Sequence, residues 1–354
     1  MHGAIAQGPL GLGTSAARAF TSAGYVPREW GDGTHPPLLV PEPVRINEPL
    51  GQAVNEDLVA WAAQTGIYAD RLDAFQQTGF GRLAMLAHPE TDDRDRLLLA
   101  AKMNAAWWAS DDYYADEAEL GAAPVQLPPR LAMVLAAMDP PPPAGEFTPP
   151  LEEAIRADPV LVALRSATEH LARYATPAQL GRVCNITAQM YVIWTAYAAW
   201  QHSGDLPPAW RYLAARQQDS FYTSMTLIDI IGGYRLPADI FFTKRVHDAV
   251  MRAGTASVIV NDLLSVEREA EHGEHDNLVL VIAADEKCSL DAAIDKAVAL
   301  HNDLVRDFEA ERLALSVIPS LELHRFLIGT RNWMGGGFEW HRTSDRYKTK
   351  ASTA

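Results

Sequence analysis

Cysteine is nearly absent: Cys184 and Cys288 are the two in 354 residues, far apart and without any CxxC spacing. A disulfide framework or a structural zinc site is therefore not indicated, and a reducing, cytoplasmic compartment is the expectation. Basic residues are in deficit as well, 30 Lys and Arg against 45 Asp and Glu, for a formal charge of −15. A nucleic-acid binder needs a basic face to displace counterions from phosphates, so this balance disfavours that class. Anionic small molecules stay open, because carboxylates can hold them through a bridging divalent cation. No run approaches the ~18 uninterrupted apolar residues of a membrane span. The opening stretch MHGAIAQGPLGLGTSAARAF lacks the basic start and apolar core of a secretory signal. Strand-like alternation is scarce, and no internal repeat is visible.

What is present is helical periodicity in a chain that is 48% hydrophobic and 21% charged, enough for a large core. Residues 1–37 are rich in Gly, Ala, Ser and Pro and are expected to be a disordered extension. PPLLVPEPV then reads as an extended strap. From Asn55 onward apolar residues recur at three- and four-residue intervals in DLVAWAAQTGIY, RDRLLLAAKMNAAWWA, PRLAMVLAAM, LEEAIRADPVLVALRSATEHLARYA, LGRVCNITAQMYVIWTAYAAW and SLDAAIDKAVALHNDLVRDFEAERLAL. The proline-rich run DPPPPAGEFTPP, residues 139–150, reads as a non-helical loop inside one domain, since helices of the same character flank it. The expectation is an all-α fold, a single helical bundle over 38–347, followed by a disordered tail at 348–354.

Two polar stripes interrupt this apolar material. WWASDDYYADE places Asp111, Asp112, Asp116 and Glu117 beside four aromatic rings. On a helix Asp112 and Asp116 share a face and Asp111 flanks them. In VIVNDLLSVEREAE, Asn261, Ser265 and Glu269 fall at i, i+4 and i+8, a stripe about 12 Å long. Amide, hydroxyl and carboxylate oxygens are hard donors of the kind Mg²⁺ takes alongside waters and substrate phosphates. Asn and Ser are poor residues for a helix interior, so their presence on an apolar helix calls for another reason. Arg268 adds a cation beside Glu269.

Asp111-Asp112-x-x-x-Asp116 resembles the aspartate-rich motif of class I terpene synthases, and Asn261-Asp262-x-x-Ser265-x-x-Arg268-Glu269 resembles their second metal motif. Trp340 followed by Arg346-Tyr347 resembles the family's C-terminal Arg-Tyr pair. ARQQDSF offers Arg216 as the family's diphosphate sensor, with Asp219 and Ser220 at its linker and effector positions, the latter commonly glycine in relatives. The resemblance implies the class I isoprenoid synthase bundle and three Mg²⁺ ions held by Asp111, Asp112, Asp116, Asn261, Ser265 and Glu269. It also implies a prenyl diphosphate gripped by Arg216, Arg268, Arg346 and Tyr347, with Arg216, Arg346 and Tyr347 as the catalytic set. The tail from Trp340 onward would close over the site, and an antiparallel homodimer is common among relatives.

Aromatic rings would line the hydrocarbon pocket, because their faces are electron-rich without being nucleophilic. The candidates are Phe80, Trp107, Trp108, Tyr114, Trp194, Tyr197, Phe221, Trp333 and Phe338. Tyr191, Trp194, Tyr197 and Trp200 are spaced by three, so they drift around their helix and cannot all face one cavity. GGGF at 335–338 would let the chain pack closely or bend near the mouth. TGFGRLAMLAHPE, DPVLVALRSATEHLARYA, LIDIIGGYRLPADI and FEWHRTSDRY look like the 2-methylisoborneol synthase branch, whose substrate is 2-methylgeranyl diphosphate. A sister product such as 2-methylenebornane, and mono- or sesquiterpene cyclisation of geranyl or farnesyl diphosphate, stay open. A prenyltransferase would carry a second aspartate-rich motif where this chain has Asn-Ser-Glu, and a non-catalytic isoprenoid-diphosphate-binding protein would not need both stripes.

Overall fold

The structure, a computed structural model, describes residues 35–116, 120–272 and 277–344. Sixteen α-helices and no strand occur among them: α1 Glu48–Thr65, α2 Leu72–Thr78, α3 Phe80–Ala87, α4 Arg94–Asp111, α5 Leu127–Met138, α6 Thr148–Ala157, α7 Pro159–Tyr174, α8 Pro177–Ser203, α9 Ala209–Gln218, α10 Tyr222–Met225, α11 Ile228–Ile231, α12 Ala238–Phe241, α13 Lys244–His272, α14 Leu278–Glu286, α15 Leu290–Leu315 and α16 Leu321–Thr343. Side-chain caps set many of the starts. Asp93, Asp158, Asn277, Ser289 and Ser320 each accept from backbone N–H groups of the first turn, and Thr176 forms a reciprocal capping box with Gln179.

Two sequence expectations shift here. The periodic stretch 151–175 is two helices, because Asp158 caps α7 and Pro159 sits at its first position, where a missing N–H costs nothing. The proline-rich loop is shorter than expected: a 3-10 turn spans Gly145–Phe147, and Thr148-Pro149-Pro150 open α6.

α13 is the axis of the fold, packed on α9, α10, α14, α15 and α16. Its segment Lys244–Ala270 is long and apolar enough to cross a membrane by composition, yet 78% of that window is buried inside the protein, as suits a core helix. α4 packs on α1, α3 and α7, and α16 joins α3 to α13. Between α9 and α13 the chain breaks into the short turns α10–α12, and a buried ion pair pins them. Arg182 on α8 donates to Asp229 Oδ1 at 2.5 Å and to the Thr226 carbonyl at 2.7 Å. Gln179 Nε2 at 2.9 Å and the Leu236 N–H at 3.0 Å complete the Asp229 carboxylate. The Arg182 guanidinium lies over the Phe241 ring at 4.5 Å. A buried charge pair is tolerable when its remaining hydrogen-bonding capacity is used in this way.

The extended strap is tied to α15, where His35 Nδ1 lies 2.6 Å from Asp295 Oδ1. Residues 1–34 and 345–354, and with them most of the expected extension and the tail, lie outside the described residues. Asn302 on α15 accepts from the Leu39 N–H and donates to the Pro37 carbonyl. Arg45 donates to the carbonyls of Met85, His88 and Thr91, satisfying the end of α3. The glycine run does not interrupt α16, which continues through it. It admits neighbours: a Cβ on Gly335 would sit 2.5 Å from the Pro41 carbonyl oxygen, and one on Gly336 would sit 2.3 Å from that of Leu86. Gly336→Ala should therefore cost about 1–3 kcal/mol through overpacking against rigid backbone. Gly181→Ala on α8, where a new methyl meets nothing within 4 Å, should instead stabilise by about 0.5–1 kcal/mol. Thermal melts of the two variants check this, and equal midpoints would show that the α16–α3 contact is not the constraint.

Candidate active site

The first stripe is not a plain helix end. α4 finishes at Asp111 and continues as a π-helical turn over Asp112–Asp116, the wide i→i+5 geometry that recurs at functional sites. Asp112 is buried, and its Oδ2 accepts from the Tyr68 hydroxyl at 2.5 Å. Tyr68 itself stands at φ 53°, a left-handed conformation uncommon for an aromatic residue. Its N–H donates to the Tyr113 hydroxyl at 2.9 Å, and its ring stacks on Phe75 at 4.9 Å. Tyr113 in the π turn and Phe75 on α2 thus hold Tyr68, which in turn holds Asp112. Asp111 is partly exposed beside it. Of Asp116 only the backbone is described, and Glu117 lies outside the described residues.

The second stripe lies on α13. The Ser265 hydroxyl donates to the Asn261 carbonyl at 2.8 Å, which spends its hydrogen on the backbone and keeps the oxygen as an acceptor. Glu269 Oε2 accepts from Asn277 Nδ2 at 2.7 Å, and Arg268 reaches Glu269 Oε1 at 3.3 Å. His341 on α16 places Nδ1 2.7 Å from the Gly337 carbonyl and Nε2 3.4 Å from Asn261 Nδ2. With the ring hydrogen on Nδ1, Nε2 accepts from the amide and turns the Asn261 oxygen the other way.

Arg216 ends α9 between two carboxylates, donating to Asp219 Oδ2 at 2.8 Å and to Asp262 Oδ1 at 2.5 Å. Burial opposes its charge, but Asp262, Tyr212 and Asp219 outweigh that and hold the guanidinium well above its ordinary range. Burial pushes the Asp262 carboxyl up, with the Arg216 guanidinium pulling the other way. Asp219 Oδ1 also accepts from the Trp194 indole at 2.9 Å. The helix breaks after Gln218, with Ser220 at the expected effector position. Ser220 donates to the Gln217 carbonyl at 2.8 Å, and its φ is not positive, so no glycine is needed there. Arg346 and Tyr347 lie outside the described residues.

The aromatic candidates divide. Trp108, one turn before Asp112, lies 5.1 Å from Phe80 and 5.9 Å from Phe221 between ring centroids. Phe221 continues to Trp333 at 4.8 Å and to His341 at 5.3 Å. A ring-to-ring path therefore runs from the first stripe to the residue touching Asn261. Trp107 is buried with no partner for its indole N–H, and Phe338 is half-buried. Trp194 packs on Tyr191 at 4.9 Å, near Arg216 rather than in this path. Tyr197 stacks on Tyr212 at 5.8 Å in the α8–α9 interface. Tyr114 faces elsewhere: its hydroxyl donates to Asp158 at 2.6 Å and Arg130 covers its ring. Trp340 is a correction, a core residue rather than part of a tail, 1% exposed and donating to the Thr78 carbonyl at 2.9 Å.

Sequence reasoning missed Tyr68, Asn277 and His341 as partners of the stripes. No group of three His, Cys, Asp or Glu side chains converges among the described residues. The second stripe offers amide, hydroxyl and carboxylate oxygens instead, and the first offers carboxylates, an all-oxygen set that fits Mg²⁺ better than a thiol- or imidazole-seeking metal.

The model of terpene synthase family 2, C-terminal metal binding, matches residues 102–307, which include both stripes. The chain is 35% identical to the 2-methylisoborneol synthase of Streptomyces ambofaciens over 314 residues, 88% of this chain and 70% of that one. It is 28% identical to a farnesyl diphosphate-cyclising (+)-T-muurolol synthase of Streptomyces clavuligerus, over 85% of this chain and 71% of that one. The crystal structure of 2-methylisoborneol synthase from Streptomyces coelicolor A3(2) with Mg²⁺ and geranyl-S-thiolodiphosphate superposes with a TM-score of 0.81 at 32% identity, covering 92% of this chain and 99% of that one. With this fold, these two stripes and these relatives, the chain belongs to the terpene synthase family: it is a terpene cyclase, a lyase with the class I helical fold.

Proposed function

We propose that the enzyme ionises 2-methylgeranyl diphosphate and cyclises the cation to 2-methylisoborneol or a close relative such as 2-methylenebornane. The observation that carries the ionisation step is the all-oxygen face of Asn261, Ser265 and Glu269 on α13, one residue from the Arg216–Asp262 pair. The substrate rests on the higher identity to 2-methylisoborneol synthase than to the farnesyl-cyclising relative. Asp111, Asp112 and Asp116 on one side, and Asn261, Ser265 and Glu269 on the other, would hold three Mg²⁺ ions. When bound, the metal supplies Lewis-acid stabilisation of the leaving diphosphate.

The protein's own residues do the rest. Arg216, Arg268, Arg346 and Tyr347 donate to the departing anion, and donors set in advance need no reorganisation as its charge develops. Phe80, Trp108, Phe221 and Trp333 turn ring faces toward the hydrocarbon, each worth about 0.5–2 kcal/mol to a nearby cation. None offers a nucleophile. Arg346 and Tyr347 would close the mouth and exclude water before the cation forms.

Turnover of 2-methylgeranyl, geranyl and farnesyl diphosphates with Mg²⁺, with gas chromatography of the volatiles, tests this reading. A cyclic C11 product should dominate, with kcat/KM about tenfold or more above geranyl diphosphate, the discrimination one methyl group allows. A higher kcat/KM for farnesyl diphosphate would overturn the substrate, and failure to ionise any of the three would overturn the cyclase reading. Glu269→Gln should lose about 100-fold or more in kcat with an unchanged melting midpoint. Tyr68→Phe, which removes the donor to Asp112, should raise the half-saturating Mg²⁺ concentration by about tenfold. Activity of Glu269→Gln within a few-fold of the parent would count against the metal assignment. Arg346→Ala should shift product toward acyclic alcohols, and an unaltered product ratio would remove Arg346 from the closing set.

A further inference from the structure

Asn277 is completely buried at the start of α14, and every polar atom of its side chain is occupied. Its Oδ1 accepts from the Val279 N–H at 2.9 Å, the ordinary work of a helix N-cap. Its Nδ2 makes different contacts. It donates to the Asp262 carbonyl at 2.7 Å and to Glu269 Oε2 at 2.7 Å, and lies 3.4 Å from Ser265 Oγ. Asp262, Ser265 and Glu269 stand at i, i+3 and i+7 on α13, so one amide spans two turns of the helix that carries the second oxygen stripe. The next residue extends the link: the Leu278 N–H donates to Asp262 Oδ2 at 3.1 Å, while Asp262 Oδ1 holds Arg216.

Capping alone does not call for asparagine. Ser, Thr and Asp cap about as well, but none of them presents an NH₂ group with two hydrogens. The second half of the amide is what reaches Glu269. A carboxylate on a flexible side chain can rotate away from a cation; one held by a neutral donor keeps its plane, its charge and its remaining lone pairs. Asn277 supplies that donor on one oxygen, with Arg268 near the other at 3.3 Å.

We propose that Asn277 is a positioning residue for the metal site: its amide hydrogens fix the Glu269 carboxylate and tie it to the Asp262–Arg216 pair that senses the diphosphate. This rests on the reading of Asn261, Ser265 and Glu269 as Mg²⁺ ligands, and the test separates the two. Asn277→Ser keeps a capping oxygen and removes the reach to Glu269; Asn277→Thr does the same and serves if the serine variant folds poorly. Binding of inorganic diphosphate is measured by titration calorimetry at a series of Mg²⁺ concentrations, beside metal-free thermal melts. The expected result is a half-saturating Mg²⁺ concentration raised by about tenfold or more, with a melting midpoint within a few degrees of the parent. Glu269→Gln is the reference and should lose the Mg²⁺ dependence more completely. If Glu269→Gln shows the loss and Asn277→Ser titrates like the parent, whether or not its midpoint falls, Asn277 is a cap and nothing more. If Glu269→Gln itself titrates like the parent, the metal reading fails, and the proposal with it.

Discussion

The buried guanidinium of Arg216 constrains everything around it. A cation this deep in an apolar bundle is tolerable only with carboxylates against it and with those carboxylates hydrogen-bonded in turn. Asp262 answers from α13 and Asp219 from the end of α9; Leu278 and Trp194 then complete the two carboxylates. Four elements, α8, α9, α13 and α14, are thereby fixed around one charge.

The two carboxylates are not equivalent. Asp262 is 1% exposed and its second oxygen is committed to a backbone N–H, so removing Arg216 would strand a charge in the core. Asp219 is partly exposed at a helix end, where water can take over the lost contact. Of the two carboxylates, Asp219 is therefore the less costly for Arg216 to release. An Arg216 that grips a diphosphate as proposed could do so while its tie to α13, and through Asn277 to Glu269, stays in place.

Much of the fold and part of the candidate site were legible because their signals are local. Three- and four-residue periodicity marks the helices, and Asn261, Ser265 and Glu269 could be grouped from spacing alone because one helix carries all three. What was not legible depends on contacts between elements. Tyr68 reaches Asp112 across 44 positions and His341 reaches Asn261 across 80, separations to which helix periodicity is blind. Asn277 is the instructive case. An asparagine before the apolar run LVLVIA announces a helix start, and nothing in the sequence announces the second use of the same amide. Trp340 was misplaced for a related reason: proximity to Arg346 suggested a tail, while its burial against α2 and α3 is a tertiary fact. The split at Asp158-Pro159 was written in cap chemistry, but apolar periodicity carried across it and hid the boundary.

Placing carboxylates next to indoles resolves the same way on both sides of the site. At Asp112 the neighbouring Tyr68 supplies a hydroxyl at its edge while its ring packs on Phe75, so one side chain serves both the charge and the apolar core. At Asn261, His341 does likewise, with a nitrogen on the amide and its ring in T-shaped contact with Phe221 and Trp340. Between them lie the rings of Trp108 and Phe221, 5.9 Å apart. A hydrocarbon cation formed beside these residues would meet electron-rich rings, while the oxygens proposed to hold metal stay oriented by the hydroxyl of Tyr68 and the ring nitrogen of His341.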